Sequence, residues 1–377
     1  MAFLVNNNFN LQMTLRDKRQ QEFADEWLKH KWGILNLCPR FGKIRTTINI
    51  LNKLKPDTIL IAYPDNKIRD SWKADFEAMG YNDVNVTYTT HISLHKHVEH
   101  QFDLVVLDEI HLLSEAQIEV VKEMMDNCNT FRSDVMGHFL GLTGTMTDWT
   151  KRTLSEELDL DVVAEYPISQ AIEEGVIVDY EINVIRVPLD DIQKNNYKGK
   201  IRTEKKQFDS YTWVIDSLER QGKNTMFPRL ARMRIIQNSL AKLNATKRLL
   251  KKHSEERILV FCGVTKIADE LGIPSYHSKS NEKQLFEDFA SGKGNHMAVV
   301  KIGNTGVTYK PLDRVIINYF DSNAENLAQK INRCMAMEYN NPEKKAKIYI
   351  ISSSEVVELR WLYKALEFFD KDKIKYL

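Results

Sequence analysis

Short runs dense in Val, Ile, Leu and Phe recur along the chain at residues 58–62, 104–107, 258–262, 298–302, 315–318 and 347–351. They do not alternate apolar with polar, so they read as parallel strands covered on both faces. Between them lie stretches with helical spacing of apolar residues, at 46–54, 66–79, 115–125, 284–289 and 356–369. Strands alternating with helices predict an α/β chain built on parallel sheets. The strands fall into two groups, separated by residues 188–251, which have weaker strand character and more charge. No short-period repeat is present.

The chain has 377 residues, more than a single domain usually holds, which favours two lobes. A hydrophobic fraction of 43% and a charged fraction of 28% describe an ordinary globular protein, neither disordered nor membrane-embedded. No apolar run approaches a membrane span. The first residues lack the basic flank and apolar core of a secretory signal, so a cytoplasmic location is expected. Cys38, Cys128, Cys262 and Cys334 are far apart and form no CxxC pair, which argues against a disulfide framework and a structural zinc site. Net charge is only +1, so any contact with nucleic acid must come from a local surface.

The most informative stretch runs from Asn36 through Leu37, Cys38, Pro39, Arg40, Phe41, Gly42, Lys43 and Ile44 to Thr46. A strand, a tight loop, Gly-Lys and a helix starting near Lys43 form an anion cradle. Backbone N–H groups and the positive helix end face the phosphates, and Lys43 reaches the β and γ oxygens. The first Gly of the usual pattern is Leu37, and the hydroxyl expected after the lysine, which helps hold magnesium, is replaced by Ile44. Thr46 or Thr47, each displaced along the helix, stand as substitutes. Alone, Gly-Lys at a helix start is also simple capping geometry.

Support comes about 65 residues later, where Leu104 to Leu107 run into Asp108, Glu109, Ile110 and His111. Such a strand places two carboxylates at its carboxyl end, where ligands bind in parallel sheets. Asp108 suits the magnesium of MgATP, and Glu109 the attacking water.

On these residues the sequence resembles superfamily 2 helicases, with Asp108 to His111 as their DExH box and Pro39 to Lys43 as a variant phosphate loop. Leu142, Thr143, Gly144 and Thr145 are similar to the motif that couples hydrolysis to motion. Arg16 with Gln20 and Glu22 resembles the adenine-recognition motif, in which Gln20 would read the base edge. Ile59 to Pro64, followed by Trp72, looks like the first strand-contacting motif, and Val86 to Thr90 like the next. In the second group, Ile258 to Cys262 and Val299 to Gly306 resemble the second lobe's opening strand and its nucleic-acid and ATP motif. Gln329, Lys330, Ile331, Asn332 and Arg333 are similar to the helix facing ATP, with Arg333 as arginine finger.

The resemblance implies two tandem RecA-like domains, 1–178 and 179–377, each a mainly parallel sheet flanked by helices, with ATP in the cleft between them. It implies an ATP hydrolase requiring ATP and Mg2+, with Asp108 holding the metal. Lys43, Asp108, Glu109, Gln329 and Arg333 would be catalytic. Arg16, Gln20, Pro39, Arg40, Phe41, Gly42, Lys43, Ile44 and Gly306 would bind ATP, and His111, Thr143 and Thr145 would couple. Pro64, Thr89, Thr90, Phe261 and Thr305 would touch the strand. The motif style is closer to bacterial and phage DNA helicases of the UvsW and restriction-translocase type than to DEAD-box RNA proteins, so a monomer acting on DNA is expected, with RNA as the alternative.

The departures motivate rivals. Ile44, Lys330 in place of the motif's first Arg, Asn332 in place of its Gly and Ala336 in place of a second finger keep open an ATP-gated clamp or assembly subunit with little turnover. An arginine finger accounts for roughly 10³ to 10⁵ in rate. A nucleotide-binding regulator that never touches nucleic acid is the other rival. Residues 193–207, with Lys194, Lys198, Lys200, Arg202, Lys205 and Lys206 near Tyr197 and Phe208, read either as a phosphate-backbone contact or as a solvated loop. His91 and His95 have helical metal-pair spacing but no HExxH context, so a polar surface helix is preferred to zinc. Met124, Met125, Met335 and Met337 are assigned to packing. The helix at 356–369 is expected to close the second lobe, with a protein-partner groove as the alternative.

Overall fold

In the computed structural model the described residues are 13–131, 137–144, 146–197, 200–280, 283–300, 309–310, 312–321, 324–333, 345–367 and 369–377. The chain divides into two compact units, Met1–Val176 and Ile177–Leu377.

The first unit holds strands β1 (Trp32–Leu37), β2 (Ile59–Tyr63), β3 (Val86–Thr90), β4 (Leu104–Asp108), β5 (His138–Thr143) and β6 (Val162–Tyr166). All pair in parallel, in the order β3-β2-β4-β5-β1-β6. Every residue of β2 and β4 is buried, as their unbroken apolar runs require of strands covered on both faces. The helices are α1 (Leu15–His30), α2 (Lys43–Leu54), α3 (Asn66–Ala78), α4 (Glu115–Phe131), α5 (Asp148–Leu158) and α6 (Ile168–Glu173). Thr14 and Asp17 form a reciprocal capping box that starts α1, and Lys31 in the left-handed region ends it. The strand order sets the site, because β4, β5 and β1 are neighbours and their carboxyl ends carry the acidic pair, the Thr143-Gly144 turn and the phosphate-type loop.

The second unit opens with β7 (Tyr180–Val187), an antiparallel pair β8 (Asn195–Tyr197) and β9 (Lys200–Arg202), and the helices α7 (Glu204–Arg220), α8 (Met226–Gln237) and α9 (Leu240–Lys252). There follow β10 (Ile258–Cys262), α10 (Thr265–Glu270), β11 (Ser275–Tyr276), α11 (Lys283–Ala290), β12 (His296–Val300) and β13 (Arg314–Ile317). The chain closes with α12 (Ala324–Asn332), β14 (Ala346–Ser353), α13 (Val356–Leu366) and β15 (Ile374–Tyr376). Its parallel sheet runs β11-β12-β10-β13-β14-β7-β15. The charged stretch after β7 is thus largely helical, and α13 buries Glu358, Leu362, Ala365 and Leu366 within its own unit. The architecture is two α/β domains, each built on a parallel sheet.

Candidate functional site

The loop after β1 is fixed on three sides. The Cys38 N–H donates to the Tyr166 carbonyl at the end of β6 (2.9 Å), and the Phe41 N–H donates to the Cys38 carbonyl (3.2 Å). Phe41 is fully buried, with its ring edge-on to Phe23 and Tyr166. Gln20, on α1, donates its amide N–H to the Phe41 carbonyl at 2.8 Å. Arg40 and Gly42 both lie in the left-handed region, at φ 69° and 103°. Glycine is favoured at Gly42 by its left-handed conformation, and a Cβ there would sit 2.4 Å from the Gln20 amide nitrogen and displace that side chain. Pro39, Arg40 and Ile44 are half-buried. Burial pushes the Cys38 thiol up to about 12, which keeps it unreactive.

Gln20 therefore acts on the loop backbone, and Arg16 donates to the Val176 carbonyl (2.5 Å), fastening α1 to the segment after α6. Beside it Glu174 takes two hydrogen bonds from Arg19 and one from the Tyr166 hydroxyl. Those bonds hold its carboxyl down at about 2.

At the start of α2 the Lys43 ammonium lies 2.5 Å from Glu109 Oε1. The two side chains keep 15% and 21% of their exposure, enough to be reached from solvent. Burial disfavours the charge on Lys43, but Glu109 and Asp108 outweigh it and hold the ammonium above the usual lysine value. Asp108 is nearly inaccessible. Burial raises its carboxyl, further helped by the Glu109 charge and opposed by Lys43, to about 6. The Trp72 indole N–H donates to Asp108 Oδ2 at 3.0 Å. Glu109 is left-handed at φ 52°, a conformation that costs a non-glycine residue about 1–2 kcal/mol. Strain of this kind at a surface carboxylate accords with a functional position.

His111 continues the network. Its Nδ1 is 3.5 Å from Glu109 Oε2 and 2.9 Å from the Thr143 hydroxyl. At Gly144 a Cβ would lie 2.7 Å from the Leu37 carbonyl, so this turn can approach the phosphate-type loop only as glycine. One continuous set of polar contacts thus joins the ends of β1, β4 and β5.

Two substitutes for the missing hydroxyl at Ile44 are ruled out in this arrangement. Thr46 and Thr47 are fully buried, and their hydroxyls donate back to the Gly42 and Lys43 carbonyls one turn earlier. Among the described residues no group of three or more His, Cys, Asp or Glu could hold a metal. Asp108, a buried carboxylate with raised proton affinity beside another acid, fits a divalent ion that arrives on a phosphate ligand, for which one protein carboxylate suffices. His91 is buried and His95 exposed, on a 3-10 turn (His91–His97), so they form no metal pair. Burial lowers His91 to about 4.

The remaining expected residues are dispersed. Pro64 and Thr90 are half-buried at the ends of β2 and β3, whereas Thr89 is 6% exposed and Phe261, inside β10, only 2%. The buried Phe261 ring, 6.0 Å from Lys330 Nζ, offers no face to a base, so its expected strand contact is withdrawn. Lys330 is buried and donates to the Tyr319 carbonyl (3.3 Å), so the lysine in the first-arginine position points into its own lobe. Arg333 directly follows α12 and is half-buried. Gln329 lies on α12, with its side chain outside the described residues, as are Thr145, Thr305 and Gly306 altogether. In the basic segment Lys205 pairs with Asp209 and Glu355, and Arg202 donates to Ser210, while Lys194 and Lys206 are exposed. Lys198 lies outside the described residues.

Residues 241–337 match the family model described as the helicase conserved C-terminal domain. Over 330 aligned residues the chain is 23% identical to the DNA 3'-5' translocase XPB2 of Sulfurisphaera tokodaii, covering 78% of this chain and 72% of that protein. Among solved structures, a DEAD box protein from the hyperthermophile Methanococcus jannaschii superposes with a TM-score of 0.50 at 16% identity, covering 95% of this chain and 92% of that one. A variant of S. cerevisiae Dbp5 bound to RNA and ADP BeF3 gives 0.60 at 11% identity, with 95% and 89% covered. These structural likenesses define the fold class. The domain match and the translocase relative link the chain to helicase-type proteins.

Proposed function

We propose that the chain is an ATP-dependent nucleic-acid translocase of the helicase kind, acting on DNA. The observation that carries the reading is the Lys43–Glu109 pair beside buried Asp108, where a phosphate-type loop and an acidic strand end meet at the carboxyl edge of a parallel sheet. Arriving β and γ phosphates compete with Glu109 for Lys43. Glu109, released from the lysine, is then placed to take a proton from the attacking water. The His111–Thr143 contact relays that change to the Gly144 turn. Asp108 would hold magnesium, which supplies charge neutralisation on the phosphates.

In this reading Gln329 and Arg333 are the second lobe's contribution, and Pro64 and Thr90 are the strand contacts the first lobe offers. DNA is preferred because the translocase relative is named for it. The test is phosphate release from ATP with a panel of single, double and branched DNA and RNA. The reading expects stimulation well above background, larger with DNA. Stimulation by RNA alone would move the substrate, and none by any strand would remove the motor.

Ile44 and the inward-turned hydroxyls of Thr46 and Thr47 favour one second reading, an ATP-gated clamp with little turnover. Ile44→Thr restores the hydroxyl. On the motor reading turnover rises at low magnesium, where the metal site is limiting. Tight ATP binding with no release in either protein at any magnesium concentration favours the clamp.

A further inference from the structure

Helix α3 carries Ile68, Trp72 and Phe76 at i, i+4 and i+8, all buried, so one stripe faces the core. Trp72 and Phe76 meet edge to face at 5.7 Å, and Phe76 continues to Tyr81. Packing accounts for the stripe, and any large apolar side chain would serve it. It does not account for the indole nitrogen, which has a single N–H to give. That N–H is spent on Asp108 Oδ2 at 3.0 Å, with Trp72 fully buried and Asp108 5% exposed. A charge-assisted bond in such surroundings is stronger than a neutral one and fixes the plane of the carboxylate. The helix begins two residues after Pro64, the end of the segment read above as a strand contact.

We propose that Trp72 is a positioning residue of the ATP site: its indole N–H orients the Asp108 carboxylate toward the nucleotide's metal and ties that carboxylate to the helix following Tyr63 and Pro64. The inference rests on the ATP-site reading and deepens it. Metal-binding groups need partners that hold them in place, and loss of such a partner typically reduces metal affinity or activity about 10- to 100-fold. Here the orienting partner comes from α3, which holds none of the residues expected to bind ATP. A shift of the strand-facing segment at Tyr63 and Pro64 is passed through α3 directly to Asp108.

The test is equilibrium binding of a fluorescent ATP analogue to the full chain, in magnesium and in EDTA, for wild type, Trp72→Phe, Asp108→Ala and the double variant. Trp72→Phe keeps the ring and removes the donor. It is expected to raise the magnesium midpoint about tenfold or more while leaving binding in EDTA unchanged. In the Asp108→Ala background it should change nothing further, because the indole acts through the carboxylate. An unchanged magnesium midpoint overturns the proposal, as does equal weakening in magnesium and EDTA, or the same effect without Asp108. Should Trp72→Phe fail to fold, the wild-type chain with 15N-labelled indoles decides. One of its 6 tryptophan N–H signals must move both with magnesium on the nucleotide-bound protein and with Asp108→Ala, and the absence of such a signal overturns the role. Wild-type protein without any magnesium-dependent nucleotide binding would instead defeat the ATP site itself.

Discussion

Lys43–Glu109 in the first lobe and Lys242–Glu358 in the second both close to 2.5 Å, in very different surroundings. In the second lobe Lys242 and Glu358 retain 1% and 0% of their exposure. Glu358 also accepts the Ser353 N–H at 2.7 Å, and Lys242 lies over the rings of Tyr319 and Phe320. The pair is sealed from solvent, and burial pulls Lys242 below the usual lysine value. In the first lobe Lys43 faces two carboxylates, remains partly open, and is held above that value. A balanced, sealed pair is architecture. An open pair with a second carboxylate beside it is suited to receive a further cation, and the strained Glu109 backbone marks the same place.

The sharpest way to break this contrast is Lys43→Ala. It removes the cation placed on the β and γ phosphates, so turnover should fall to background while the thermal midpoint stays near that of wild type. Unchanged turnover would reduce the open pair to architecture as well. Glu358→Ala does the opposite. It leaves Lys242 buried without its carboxylate and should destabilise the second lobe by about 3–5 kcal/mol in chemical denaturation, whereas replacing both partners by Met and Leu should recover most of the loss. If the double replacement is as damaging as the single one, the pair contributes more than mutual neutralisation.

A smaller effect follows from Lys330, which burial pushes down to about 8, with the nearby Lys242 charge acting the same way and Asp321 opposing. Between pH 8 and the ordinary lysine range the unfolded chain binds a proton that the folded chain lacks, so stability rises with pH there. The gain should reach about 3 kcal/mol at most. Lys330→Met should remove it, read as the difference between the two proteins' stability–pH curves. Parallel curves would place Lys330 in water.

Much of the architecture was legible because buried parallel strands announce themselves as apolar runs. Residues 258–262 form β10 with the bounds expected from the sequence. Strand β7 has no such signature, since Glu181, Asn183 and Arg186 interrupt its apolar residues; Asn183 is buried and donates to Glu181, a tertiary solution that composition does not reveal. Strand β15 has three residues and owes its existence to pairing with β7. Of the candidate site, Lys43, Asp108 and Glu109 are legible because Gly-Lys at a helix start and two acids at a strand end are local patterns, whereas His111 and Thr143 are expected only through the family resemblance. The assignments to Gln20, Trp72 and Thr46 depended on where side chains turn. Gln20 and Trp72 reach across the fold, and the Thr46 hydroxyl returns to its own helix.

The central claim is that the open pair is a catalytic centre, and Glu109→Gln tests it most directly when ATP binding and phosphate release are measured on the same preparation with DNA present. Glutamine keeps the shape, removes the base and frees Lys43 from its carboxylate. Binding should be retained or tightened while hydrolysis falls by about two or more orders of magnitude. Loss of binding and hydrolysis in equal proportion, or hydrolysis that persists, would contradict the account.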